Sequence, residues 1–182
     1  MEKAPALSIP QLAELLEEKC HKEFRDTVAD WALQEPERLE EVFRLYLGNF
    51  DQVSKRAGWV LEKATDLAGQ RMEPYLSRVI GHLEQMETDW ERRSAVRMLA
   101  MCPRYPENNL GFLLDLVLEW LNRPEETVAI RVHCMQIAFN IAQLEPDVRP
   151  ELVSILESHY EDGSAGFKNR AGKLLKKLRK GQ

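Results

Sequence analysis

The stretch Ser54 to Leu61, SKRAGWVL, decides the fold, because the chain keeps returning to it at one interval. Ala57 recurs as Ala95 and again as Ala171, and Leu61 recurs as Leu99, Ile137 and Leu175, always at multiples of 38 residues. Arg56-Ala57-Gly58 reappears whole as Arg170-Ala171-Gly172, three periods later. A fixed period of this length marks stacked supersecondary units, none of which can bury its apolar face alone.

Working outward, the second half of each unit keeps the same register. Leu76, Val79, Ile80 and Leu83 map onto Leu114, Val117, Leu118 and Leu121, and again onto Leu152, Ile155, Leu156 and His159. Spacing of i, i+3, i+4, i+7 is one buried stripe of a helix. Pro36, Pro74 and Pro150 open these second helices, with Phe112 in the remaining slot. Proline is tolerated there because the N–H it lacks had no intrahelical acceptor. Asp51, Asp89 and Thr127 recur before the first helices and Ser164 follows with a one-residue slip, so each is expected to cap an orphan N–H. The units predicted are 51–86, 89–122 and 127–160.

Ahead of them, Ser8-Ile9-Pro10-Gln11 reads as a capped helix start, giving a helix Ile9–Lys19 that buries Leu12, Leu15 and Leu16. A second helix, about Cys20–Gln34, sets Phe24, Val28, Trp31 and Ala32 on one face. A third runs from Glu35-Pro36 through Leu47, with Leu39, Val42, Phe43 and Tyr46 apolar. Residues 1–34 thus read as an N-terminal cap, 35–160 as repeats and 164–180 as a basic closing helix, within one domain spanning 1–182. No strand pattern is seen, and the longest irregular stretch is CPRYPENN, Cys102–Asn109.

Composition narrows the function classes. The 182 residues hold no apolar run near the roughly 18 needed to cross a bilayer, and the acidic start lacks the apolar core of a secretory peptide. Cys20, Cys102 and Cys134 form no C-x-x-C pair, which argues against a zinc site or disulfide frame and for a reduced, cytoplasmic protein. Net charge is −5, but seven basic residues follow Asp162 and no acid does, so the tail carries +7 and residues 1–162 carry −12.

These residues resemble the HEAT or armadillo-like family of helical repeats over about residues 20–180. The recurrent proline, the capping Asp and a basic column at Lys55, Arg93 and Arg131, broken at Asn169, carry the resemblance. It implies an all-α, right-handed α-α superhelix (solenoid) of about four 38-residue helix pairs with capping helices. It also implies a curved scaffold that binds other macromolecules, usually without catalysis or cofactor.

Several features are candidates for partner contact. Arg93 and Arg131, with Arg97 close by, read either as a row of cationic forks for phosphate or acidic peptide, or as ion pairs stitching neighbouring units. The second helices carry Glu73, Glu84, Asp115, Glu119, Glu151 and Glu157. On the resemblance they line a concave, partly acidic surface suited to a basic protein segment. The helix Leu110–Leu121 has Phe112, Leu116 and Trp120 beyond its core stripe, either buried on two sides or forming an apolar anchor. In the tail, Lys173, Lys176, Lys177, Arg179 and Lys180 face away from the stripe Phe167, Ala171, Leu174, Leu175, Leu178. They suit a solvated cap, nucleic acid, an anionic membrane, or the acidic surface of another copy.

Catalytic signatures do not stand out. His21, His82, His133 and His159 share no ligand spacing with cysteines or carboxylates, and no Walker loop or Rossmann glycine fingerprint is present. The Ser-Ser-x-Met-Pro-x-Lys loop of fumarase–aspartase type lyases is absent too. The expectation is a non-enzymatic protein-interaction scaffold. The alternative is a nucleic-acid-binding chain related to the alkylpurine DNA glycosylases, which are built of similar repeats. It would offer Trp59, Trp90, Arg93, Arg97 and Arg131, against a body charge that opposes duplex binding. Partner identity and oligomeric state stay open.

Overall fold

The computed structural model describes residues 8–19, 21–48, 51–102 and 104–180, and among these no strand occurs. The helices are α1 (Ile9–Glu18), α2 (Lys22–Ala32), α3 (Pro36–Tyr46), α4 (Gln52–Ala68), α5 (Leu76–His82) and α6 (Asp89–Met101), then α7 (Leu110–Asn122), α8 (Val128–Leu144), α9 (Arg149–Ser158) and α10 (Ala165–Lys180). Short 3-10 turns precede α5, α7 and α9. The residues group into two compact units, Met1–Arg104 and Tyr105–Gln182, which part inside the irregular stretch Cys102–Asn109.

In the first unit α4 is the hub, packing on α1, α2, α3 and α6. The stretch Ser54–Leu61 lies within it, and its residues divide the work. Ala57 and Leu61 are fully buried. Gly58 lets helices close in, since a Cβ there would stand 2.9 Å from Tyr46 Cε2 and 3.1 Å from Ser94 Oγ. Ser54 Oγ donates to the Leu45 carbonyl at 2.8 Å, and Arg56 Nη1 to the Leu16 carbonyl at 2.6 Å. Both acceptors are orphan carbonyls in the last turns of α3 and α1, so two polar residues of the stretch satisfy groups that burial would otherwise penalise.

Neighbouring helix pairs meet across contacts about one period apart in the chain. Tyr75 donates to the Pro36 carbonyl at 3.2 Å, and its ring stacks on Phe43 with centroids 4.2 Å apart. Arg71 reaches the Leu33 carbonyl. Leu76, Val79, Ile80 and Leu83 are fully buried, as their spacing predicts.

In the second unit α8 takes the central place, against α7, α9 and α10. Cys134, Ile137, Ala138 and Ile141 fill its core face, and Phe167, Ala171, Leu174, Leu175 and Leu178 of α10 close on it. Val117, Leu118, Leu121, Leu152 and Leu156 are buried, while Leu114, Ile155 and His159 are half-buried.

The caps depart from the simple pattern. Thr88, not Asp89, caps α6: Glu91 N donates to Thr88 Oγ1 at 3.4 Å and Thr88 N to Glu91 Oε2 at 2.9 Å. A Thr-x-x-Glu box satisfies two orphan donors at once, which outweighs the register of the Asp column. Asp51 and Thr127 precede their helices without a side-chain cap bond, and Ser8 donates its hydroxyl to Gln11 Oε1 instead. Ser164 does cap, accepting from Phe167 N at 3.3 Å. Pro36 and Pro150 stand in first turns, but Pro74 lies in the 3-10 turn ahead of α5. Leu15 is half-buried, and the second helix starts after His21, whose Nδ1 accepts from Phe24 N. Cys20, where the spacing starts that helix, lies outside the described residues.

Candidate functional site

The three arginines named from sequence have three different fates. Arg97 Nη2 forks both oxygens of Asp66, at 3.1 and 2.9 Å, and Nη1 lies 3.4 Å from Glu62. Glu62 also accepts from Ser94 Oγ at 2.7 Å, so α4 and α6 are stitched by a small polar network. Arg93 is exposed, as is Lys55 one period earlier. Arg131 is buried, at 7% exposure. Its Nε donates to the Leu121 carbonyl at 3.0 Å, closing the end of α7, and its guanidinium carbon sits 4.4 Å from the Phe167 ring centre. This corrects its placement among surface cations. Two helices cover it, and capping plus a cation–π contact take the place of a ligand.

Trp120 also needs correction as an apolar anchor: it is 5% exposed, and Leu116 is 7%. α8 and α9 both pack on α7, which leaves little of that helix uncovered. Phe112 remains exposed at 38%, on the face that also carries Asp115 and Glu119, three and seven residues further on. On α9, Glu151 and Glu157 are exposed. Two of these acids are partly neutralised: Glu119 pairs with Arg123, and Glu157 with Arg179 at 2.6 Å. In the first unit Glu73 is half-buried, and Glu84 is exposed. Lys173, Lys176, Lys177 and Lys180 are exposed along α10, with Lys177 Nζ 5.7 Å from the Phe139 ring centre.

A cleft of about 590 Å³ was not foreseen. It lies at the first turns of α4 and α6, lined by Asp51, Lys55, Glu87, Thr88, Trp90 and Glu91. Nothing in the sequence signals it, because Asp51 and Trp90 meet only once the two helices are packed. Lys55 is its basic residue against three acids, a mixture with no evident preference for a charged ligand. Trp59, by contrast, is faced by Arg25, whose guanidinium carbon is 4.6 Å from its ring.

Reactive groups are engaged or muted. Burial pushes the Cys102 thiol up to about 12 and that of Cys134 higher still, so neither supplies a thiolate near neutrality. His82 Nδ1 is bonded to the Arg78 carbonyl at 2.8 Å, and His159 Nε2 to Asn122 Oδ1 at 2.8 Å. Among the described residues no group of three or more His, Cys, Asp or Glu is placed to hold a metal ion. No helix among them is long and apolar enough to cross a membrane.

A model of the HEAT repeat domain matches residues 12–178, nearly the whole chain. The chain belongs to the HEAT repeat family. The helix pairs described above lie within that match. A crystal structure of an engineered protein is similar to it, with 15% identity and a TM-score of 0.63, covering 95% of this chain and 80% of that one. At that identity the likeness speaks for the fold alone, an all-α, solenoid-like arrangement. Among curated proteins, none matches the chain.

Proposed function

We propose that this HEAT repeat chain is a non-enzymatic scaffold that binds a partner protein through the exposed faces of its second helices. A helical repeat scaffold commonly serves protein interaction, and the site we assign lies on residues 105–182. The observation that carries it is the exposed face of α7, where Phe112 stands beside Asp115 and Glu119 while Leu113, Leu116, Val117, Trp120 and Leu121 are buried. An aromatic ring flanked by carboxylates offers apolar contact area and a sign preference together. Glu151 and Glu157 of α9 add further negative charge. The occupant is a basic segment of another protein, held by charge pairing at the rim and by Phe112 at the centre. Free buried thiols at Cys102 and Cys134 suit a reducing compartment, and we place the protein in the cytoplasm.

The test is affinity capture of the tagged chain from its native lysate, with and without nuclease, followed by mass spectrometry. A protein retained after nuclease, and lost when Asp115→Lys and Glu119→Lys are combined, supports the reading. Capture that collapses on nuclease treatment, or that ignores the two reversals, overturns it.

A further inference from the structure

The basic face of α10 is a regular structure of its own. Lys173, Lys176, Lys177 and Lys180 follow the i, i+3, i+4, i+7 spacing, so they form one row along the helix, and all four are exposed. Every apolar residue of the opposite stripe is buried, from Ala171 at 0% to Leu175 at 7%. The row is therefore carried on a helix clamped along its other side. Lys177 rests over Phe139, and Arg170 at the head of the row is tied to Gln136 by a 2.7 Å bond from Nη2.

This arrangement has a cost that folding does not explain. Like charges three and four residues apart repel along a helix. Of the seven basic residues on α10, Arg179 alone forms an ion pair among the described residues, with Glu157. Complementing the helix dipole accounts only for the last turn, where Lys177, Arg179 and Lys180 sit. Lys173 and Lys176 fall outside it.

From the row, its rigidity and its unpaired charge, we infer that the outer face of α10 docks on the phosphate backbone of duplex DNA. A straight row that brings cationic charge round once per turn, about every 5.4 Å, can follow the phosphates of one strand. Duplex DNA is a dense, regular polyanion, one charge per ~1.7 Å of axis, and each lysine it takes up releases a condensed counterion. A bilayer fits less well, since helices that lie in a membrane surface bury an apolar face there, and that of α10 is already used. The −12 on residues 1–162 is screened beyond a Debye length of about 8 Å at physiological salt. The contact reads no bases. It is a different surface from the acidic face of α7, and one scaffold carrying both would hold a protein partner near DNA.

The test uses the full chain and a labelled random-sequence duplex of roughly two helical turns, with fluorescence anisotropy read between about 50 and 200 mM salt. Binding should fall with a log–log salt slope of about −4, as expected for four or five phosphates neutralised. Replacing Lys173→Gln, Lys176→Gln, Lys177→Gln and Lys180→Gln together should weaken it at least tenfold at the lower salt, with helicity unchanged by circular dichroism. The Asp115→Lys, Glu119→Lys chain should bind the duplex no more weakly than the unaltered chain, which separates this inference from the protein-binding one. No duplex binding at the lower salt, a flat salt slope, or a quadruple variant that binds equally well overturns the inference. So does equally tight binding to phosphatidylserine vesicles or to polyglutamate. If the quadruple variant does not fold, the pair Lys173→Gln and Lys176→Gln decides the matter: it should weaken duplex binding and reduce the salt slope by about two, and an unchanged slope overturns the inference.

Discussion

Arg78 and Glu40 stand one repeat period apart and meet, Nη1 to Oε1, at 2.6 Å. The 38-residue spacing seen in sequence is here a physical contact between equivalent positions of consecutive helix pairs. Both side chains are about half exposed, at 44% and 50%, so water competes for the pair. A double-mutant cycle with Arg78→Ala and Glu40→Ala, followed by urea unfolding, should give a coupling of about 0.2–1 kcal/mol that shrinks at high salt. Zero coupling at low salt would show the pair to be ornamental.

Two glycines should respond in opposite directions. Gly58→Ala brings a methyl within 2.9 Å of the buried Tyr46 ring, which cannot swing away, and should destabilise by about 1–3 kcal/mol. Gly81→Ala meets nothing within 4 Å and should gain about 0.5–1 kcal/mol from helix propensity. Thermal unfolding of the two variants checks both signs.

Arg131 and His159 are coupled inside the second unit. Burial, and then the nearby Arg131 charge, hold the His159 imidazole below its ordinary 6.5, with Asp162 opposing. The fold therefore favours neutral His159. Its contribution is fully present above pH 6.5, where the unfolded chain is neutral too, and is lost as pH falls through the lower folded value. Histidine-ring NMR should find the depressed titration, and Arg131→Met should move it back up. The same change removes a charged donor from the Leu121 carbonyl and should cost about 1.5–3 kcal/mol by denaturant unfolding.

Cys102 and Cys134 should resist alkylation. Both are buried, at 1% and 0% exposure, and both thiols are held protonated well past neutrality. Iodoacetamide at pH 8 with peptide mapping should leave them unmodified in the folded chain and label them in denaturant. Rapid labelling of either in the native chain would contradict the packing.

The limits of sequence reading show best at the basic column. Arg93 and Arg131 share a register position, yet one is exposed and the other closes the end of α7 against Phe167. A period fixes where a residue sits on its own helix, not which helix comes to lie over it. Trp120 shows the same thing: its stripe was legible, and its burial depended on α8 and α9 both packing on α7. The capping residue of α6 shifted by one for a local reason, since the Thr88–Glu91 box outcompetes Asp89, and that signal was present in the sequence.

What the sequence alone determined is the helical repeat: its period, the apolar stripes, and the recurrence of Ala57 and Leu61 within it. Burial of apolar area dominates folding, and its pattern along a helix is written directly in residue spacing. What only the tertiary structure decided is the fate of the polar groups. Arg97 meets Asp66 and Glu62, Arg131 finds a carbonyl, Asp51 and Trp90 come to share a cleft, and Phe112 stays in the open beside Asp115 and Glu119. Each depends on directional contacts of a few ångströms with partners far away in the chain, and no one-dimensional period specifies those.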